Sequence, residues 1–161
     1  MIKAKGKVYL VGAGPGRHDL ITLRGCNLLK KADCIICDKL ANSQLLEYAG
    51  QNTEIIHTPK RVGPSSVSQN QINDLIVEKA NQGKSVVRLK GGDPCVFGRG
   101  SEEAEILAKN KIPFEIVPGI TAAIAAAEDP AMFLTDRNYS SEVIFVTGKE
   151  APGKTSSSID W

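Results

Sequence analysis

No stretch of this 161-residue sequence has the run of roughly 20 apolar residues that a helical membrane span needs. Nor does the N-terminus, MIKAKGKVYLVGAG, hold the apolar region of a signal peptide, because glycines interrupt it too early. These two absences lead to the expectation of a cytoplasmic protein without a membrane partner. Charge of one sign is equally scarce: the formal net charge is +2, too slight to argue for nucleic acid. The four cysteines, Cys26, Cys34, Cys37 and Cys95, lack the paired Cys and His spacings of a zinc site. Cys34 and Cys37 make one C-x-x-C, but it falls inside the apolar run ADCIICDKL. That setting suits small buried side chains better than a metal or redox centre. No metal is expected.

Two nucleotide-binding patterns are incomplete. GAGPG, Gly12 to Gly16, follows an apolar run at once, yet it reads G-x-G-x-G rather than G-x-G-x-x-G. Pro15 also removes an amide that a phosphate cradle would use. GKEAPGKT, Gly148 to Thr155, does satisfy the P-loop spacing. A P-loop must feed a helix whose N-terminus holds the phosphates, and SSSIDW offers almost nothing helical. P-loop nucleotide binding remains a minor alternative.

What the sequence does contain is the usage of a soluble globular protein, 42% hydrophobic and 24% charged. Its length holds one ordinary domain, or one domain and the beginning of another. The stretch VVRLKGGDPCVFGRG, Val86 to Gly100, organises the rest. Val86, Val87 and Leu89 form a short β-branched run that Gly91, Gly92 and Pro94 stop abruptly. A strand therefore delivers a loop whose backbone a ligand can approach, and Asp93 places a negative charge there. Ser101, Glu102 and Glu103 are expected to open the next helix by capping and by complementing its dipole.

The same strand, turn and helix alternation runs along the chain. Val8 to Val11 reads as a strand, and Thr22 caps a helix bearing Leu23, Leu28 and Leu29. Cys34 to Cys37 is a second strand with Asp38 at its carboxyl end. A short helix around Leu45 and Leu46 and a strand near Ile55 and Ile56 follow, and Lys60 and Arg61 then lie on a loop. Ser68 and Gln71 make a capping box for a helix with Ile72, Leu75, Ile76 and Ala80 on one face, ended by Gly83. Phe114 to Val117 is a further strand, Pro118 to Thr121 start an alanine-rich helix that Pro130 is expected to shorten, and Val143 to Val146 reads as a last strand. The pattern specifies an α/β fold, a mostly parallel sheet with crossover helices. Ligands in such sheets sit beyond the carboxyl ends of the strands.

VYLVGAGPG, Asp38 after a strand, the loop with Lys60 and Arg61, VVRLKGGDPCVFGRG and PFEIVPGITAAIAA together resemble the tetrapyrrole methylases. The likeness runs from Val8 to Trp161, and RLKGGDP, FGRG and VPGIT in that order are its specific part. It is strongest to the members that methylate carbons 2 and 7 of uroporphyrinogen III to give precorrin-2, toward sirohaem and cobalamin. The resemblance implies two α/β domains with S-adenosylmethionine in the cleft between them. Residues 1–118 would be the first domain and 119–161 the beginning of the second, whose remainder supplies further cofactor contacts and much of a dimer interface in the family. A homodimer is implied where that domain is completed. The implied cofactor positions are Pro15, Gly91, Gly92, Asp93, Val96, Thr121 and Ala122, with Asp38 as proton acceptor and Lys60 as proton donor. The implied substrate carries eight carboxylates, and Arg61, Arg99 and Arg137 suit them through bidentate guanidinium pairing. Cys95 and Ser101 stand where the family has phenylalanine and glycine, and EDPAMFLTDR, Glu128 to Arg137, departs from a family pattern close to AYAGIPLTHR. The rival expectations are an inactive truncated member or binding module and, further off, the P-loop protein.

Overall fold

Five short strands alternate with helices, and each strand begins where the expected β-branched runs lie. The computed structural model describes residues 5–58 and 68–148. The strands are β1 (Val8–Gly12), β2 (Cys34–Cys37), β3 (Glu54–His57), β4 (Val86–Lys90) and β5 (Phe114–Val117). The helices are α1 (Leu23–Lys31), α2 (Gln69–Asn81), α3 (Gly100–Lys109) and α4 (Ala122–Glu128), with 3-10 turns at His18–Leu20 and Ser43–Tyr48. All strand pairs are parallel, in the order β3-β2-β4-β1-β5.

Local chemistry sets several boundaries. Thr22 Oγ1 accepts the Gly25 N–H at 3.1 Å and starts α1, and Lys30 and Lys31 sit in its last turn, where the helix dipole favours cations. Ser68 and Gln71 form the complete reciprocal capping box of α2. At the other end Gly83 takes φ +83°. Helix α3 departs from expectation. Its N-cap is Arg99, in the left-handed region at φ 58° and without a side-chain cap bond, so Ser101 already lies inside the helix. Glu103 is not a solvated partner of the dipole either, because it is fully buried. Helix α4 stops at Glu128, just before Pro130, and closes with the paired Met132 N–H to Ala127 O and Ala131 N–H to Glu128 O bonds of a Schellman motif. Val143 to Val146 is not a strand: the four residues are exposed and pair with no neighbour among the described residues. β-branching predisposes a run to extension, but only a partner strand completes its backbone hydrogen bonds.

The sheet is covered on both faces, which explains why β1, β2 and β4 are buried almost throughout. One core joins Val11, Ile35, Val87 and Leu89 to Leu29 and Leu45. The opposite core joins Val8, Leu10, Ile36 and Val86 to Ile72, Ile76 and Leu107. The chain passes from β1 to β2 to β3 over the first face and returns through α2 and α3 over the second. Reversing both direction and face keeps one crossover handedness. It also makes the carboxyl ends of β1 and β4, neighbours in the sheet, the point where the connections diverge. There the sequence places its two glycine turns.

Candidate functional site

The two glycine turns touch. Ala13 N–H donates to Lys90 O at 2.7 Å, Gly92 N–H to Gly14 O at 2.8 Å, and Gly14 N–H to Gly92 O at 3.2 Å. The two turns are thus joined by their own backbone hydrogen bonds, and the partly exposed positions lie along their outer rim. The turn after β5 packs onto the same place. A Cβ on Gly119 would sit 2.3 Å from Gly92 O and 2.8 Å from Gly12 Cα, so glycine there permits backbone to meet backbone. Both obstructing atoms are main chain and neither can swing aside. Gly119→Ala is expected to destabilise the protein by about 1–3 kcal/mol, read as a lower midpoint of thermal unfolding by circular dichroism. An unchanged midpoint would show that the three turns are looser than these contacts require.

Gly92 is different in kind. Its φ is +67°, and a Cβ there would meet only Ala122 N at 3.7 Å and Thr121 Cα at 3.9 Å, ordinary contact distances, so it is the backbone conformation and not crowding that calls for glycine. Asp93 ties the turns together: Oδ1 accepts the Cys95 N–H at 2.7 Å and Oδ2 the Gly119 N–H at 2.9 Å. Pro15, Gly91, Gly92, Asp93, Val96 and Thr121 are all half-buried and Ala122 is exposed, whereas Gly12, Ala13 and Gly14 behind them are buried. All seven positions named for the cofactor are thus at least partly accessible, in or next to the three turns. Beside them, a hollow of about 310 Å³ borders Pro94, Phe97, Arg99 and Ile116.

Asp38 enters from β2. Its backbone N–H donates to Leu89 O at 2.9 Å, and its side chain keeps 20% exposure. Ile36 is in register with Arg88 of β4, so Asp38, two residues on, faces the same side of the sheet as the Arg88 side chain. Arg88 Nη2 lies 2.5 Å from Asp38 Oδ1, and Arg88 Nε lies 2.9 Å from Glu103 Oε1. Thr58 Oγ1 stands 3.2 Å from both Asp38 Oδ1 and Cys37 O, and its single proton serves one of them at a time. Lys90 Nζ is 2.8 Å from Glu103 Oε2, an ion-pair contact without hydrogen-bond alignment. Gln69 Nε2 adds a bond to Glu103 Oε1 at 3.1 Å. Burial works against the Arg88 charge, but Glu103 and Asp38 more than offset it and raise its pKa above the usual arginine value. Burial pushes the Lys90 ammonium below its ordinary range, with Glu103 opposing that fall and Arg88 adding to it.

Arg88 and Lys90 escaped the reading of the sequence, and Glu103 was expected at a solvated helix start, because charged residues are almost never fully buried unless paired. The available signal was VVRLK itself: a strand buried on both faces leaves alternate charged residues no route to solvent. Among the other expected positions, Lys60 and Arg61 lie outside the described residues, as does most of the P-loop pattern. Its requirement for a preceding strand is not met by Val143 to Val146. Arg99 forms a two-pronged pair with Glu102, both contacts at 2.6 Å, and Arg137 is exposed. Cys34 and Cys37 belong to opposite cores, so they cannot meet at one ion, and burial raises both thiols to about 11.

A parallel sheet whose strand ends carry a glycine-built rim beside a held carboxylate defines a ligand-binding α/β protein. Comparison with known proteins narrows that class. The sequence profile of the tetrapyrrole (corrin/porphyrin) methylases matches residues 7–159, and the chain belongs to that family. It is 49% identical over 155 residues to a uroporphyrinogen-III C-methyltransferase of Methanocaldococcus jannaschii, covering 96% of this chain and 64% of the relative. It is 47% identical over 156 residues to an S-adenosyl-L-methionine-dependent uroporphyrinogen III methyltransferase of Methanosarcina barkeri, covering 97% and 61%. The fold superposes with TM-score 0.70 and 41% identity on uroporphyrin-III C-methyltransferase from Thermus thermophilus complexed with S-adenyl homocysteine, covering 82% of this chain and 54% of that one. The chain therefore spans somewhat over half the length of these relatives.

Proposed function

We propose that this chain carries the S-adenosylmethionine and proton-transfer half of a cytoplasmic enzyme that methylates uroporphyrinogen III at carbons 2 and 7 to give precorrin-2. The observation that carries the reading is a partly exposed carboxylate, Asp38, gripped by a buried arginine in the crevice zone of the glycine rim. The residues present fit the cofactor: Gly92 is partly exposed and uncrowded, no atom lying closer than 3.7 Å to where its Cβ would stand, and Thr121 makes no side-chain cap bond to α4. Pro15, Gly91, Gly92, Asp93, Val96, Thr121 and Ala122 would hold it. When bound, S-adenosylmethionine supplies an electrophilic sulfonium methyl, and the pyrrole carbon is the nucleophile. The protein's tasks are then to position two molecules and to move protons. Asp38 removes the proton released as the methylated ring rearranges, and Lys60 is assigned the return of a proton. Arg61, Arg99 and Arg137 are assigned to substrate carboxylates. Arg99 at the edge of the hollow suits this, since a carboxylate can exchange for the exposed Glu102 partner. A boundary between Pro118 and Gly119, a second domain beginning there and a homodimer belong to the same reading.

Isothermal titration with S-adenosylhomocysteine, followed by assay of methyl transfer from labelled S-adenosylmethionine to uroporphyrinogen III, tests it. Heat of binding with transfer to the tetrapyrrole is expected. Binding without transfer would identify a binding module instead, and no binding at high protein concentration would end the cofactor assignment.

A further inference from the structure

Every nitrogen of the Arg88 guanidinium donates to the protein itself. Its Nε donates to Glu103 Oε1, its Nη1 to Ile36 O at 3.3 Å and Leu89 O at 3.4 Å, and its Nη2 to Asp38 Oδ1. Side chains of both Arg88 and Glu103 are 0% exposed, so the guanidinium plane is fixed from three sides before it reaches Asp38. Glu103 is itself braced by Gln69 and Lys90. The Thr58 hydroxyl is the second donor within reach of the same Oδ1, while Oδ2 has no hydrogen-bond partner among the described residues. We propose that Arg88, assisted by Thr58, is a positioning residue that clamps Oδ1 of Asp38 and leaves Oδ2 as the oxygen that takes the proton. This rests on the proton-acceptor role given to Asp38 above. The purpose of so costly a buried charge is orientation: a planar fork anchored to the sheet and to α3 sets the carboxylate plane, as a flexible ammonium cannot.

The test uses the chain labelled with 13Cγ-aspartate, the Asp38 carboxyl resonance being assigned by its loss in Asp38→Asn. Arg88→Lys is expected to move that resonance. Thr58→Val should move it less, and Thr58→Ser should restore it, which keeps the test decisive if Arg88→Lys folds poorly. In turnover, Arg88→Lys should lower kcat roughly tenfold to hundredfold, with KM for the tetrapyrrole and Kd for S-adenosylhomocysteine within about twofold. The same substitution should cost nothing further in an Asp38→Asn background. An Asp38 resonance that stays in place in both Arg88→Lys and Thr58→Val overturns the clamp, as does an equal loss of kcat with and without Asp38. A resonance that moves in a chain that transfers no methyl group supports the clamp and defeats only the functional reading.

Discussion

Glu103→Ala is expected to unfold the protein at temperatures the parent survives. The carboxylate lies within 2.9 Å of Arg88 and 2.8 Å of Lys90, and none of the three side chains is more than 1% exposed. Removing it leaves Arg88 with Asp38 and Lys90 with no ion-pair partner among the described residues. Breaking a buried pair from one side costs about 3–5 kcal/mol, because the surviving charge is neither solvated nor paired. For a chain of this size that is a fall of roughly 6–20 °C in Tm, measurable by calorimetry. A drop under about 2 °C would mean that water reaches Lys90 after all.

The pH dependence of that loss separates the two cations. Lys90 has its folded-state pKa pushed below the ordinary 10.5, first by burial. Between the two values the unfolded chain binds more protons than the folded one, so stability rises with pH through that window. The penalty for burying Lys90 is full below its folded pKa and fades as pH climbs toward 10.5. Without Glu103 the folded value falls further and the window widens downward, whereas Arg88 cannot discharge at all. The gap in stability between parent and Glu103→Ala should therefore narrow as the pH rises toward 10.5. A constant gap would assign the cost to Arg88 instead.

The elements that could be read from the sequence were those determined by neighbours in the chain. Ser68 and Gln71 are three residues apart and satisfy each other, and Thr22 caps α1 through Gly25, so spacing alone sufficed. Asp38 was legible for the same reason: a polar residue directly after a buried apolar strand has to stand at its carboxyl end. Most of what failed depended on partners farther along the chain. Val143 to Val146 has the composition of a strand and no strand beside it among the described residues. Ser101 looked like a cap because Arg99 was not expected to turn into the left-handed region, which the tight packing of Gly100 against Pro94 O accompanies. The Arg88, Lys90 and Glu103 cluster joins positions up to 15 residues apart across two elements, and reaches Asp38 over 50. No local periodicity encodes such a meeting.

Asp38→Asn is expected to abolish nearly all turnover while sparing the cofactor site, the sharpest consequence of placing the base here. A side chain that accepts a proton in the transition state contributes about 10²–10⁴ in rate, and asparagine cannot accept one. It can still offer an oxygen to Arg88 Nη2 and Thr58 Oγ1, so the local geometry is retained better than in Asp38→Ala. The backbone bonds that shape the turn, Asp38 N–H to Leu89 O at 2.9 Å and Ala41 N–H to Asp38 O at 3.0 Å, are untouched by either change. Stability should fall by about 1.5–3 kcal/mol, the worth of a hydrogen bond to a charged group, because Arg88 keeps Glu103 as its counter-charge. Titration with S-adenosylhomocysteine should return a Kd within about twofold of the parent, and kcat for methyl transfer should drop at least a hundredfold. If Kd weakened as much as kcat fell, Asp38 would belong to the cofactor site. If kcat held, the proton would leave through another group, and the grip of Arg88 on Asp38 would be a feature of the core alone.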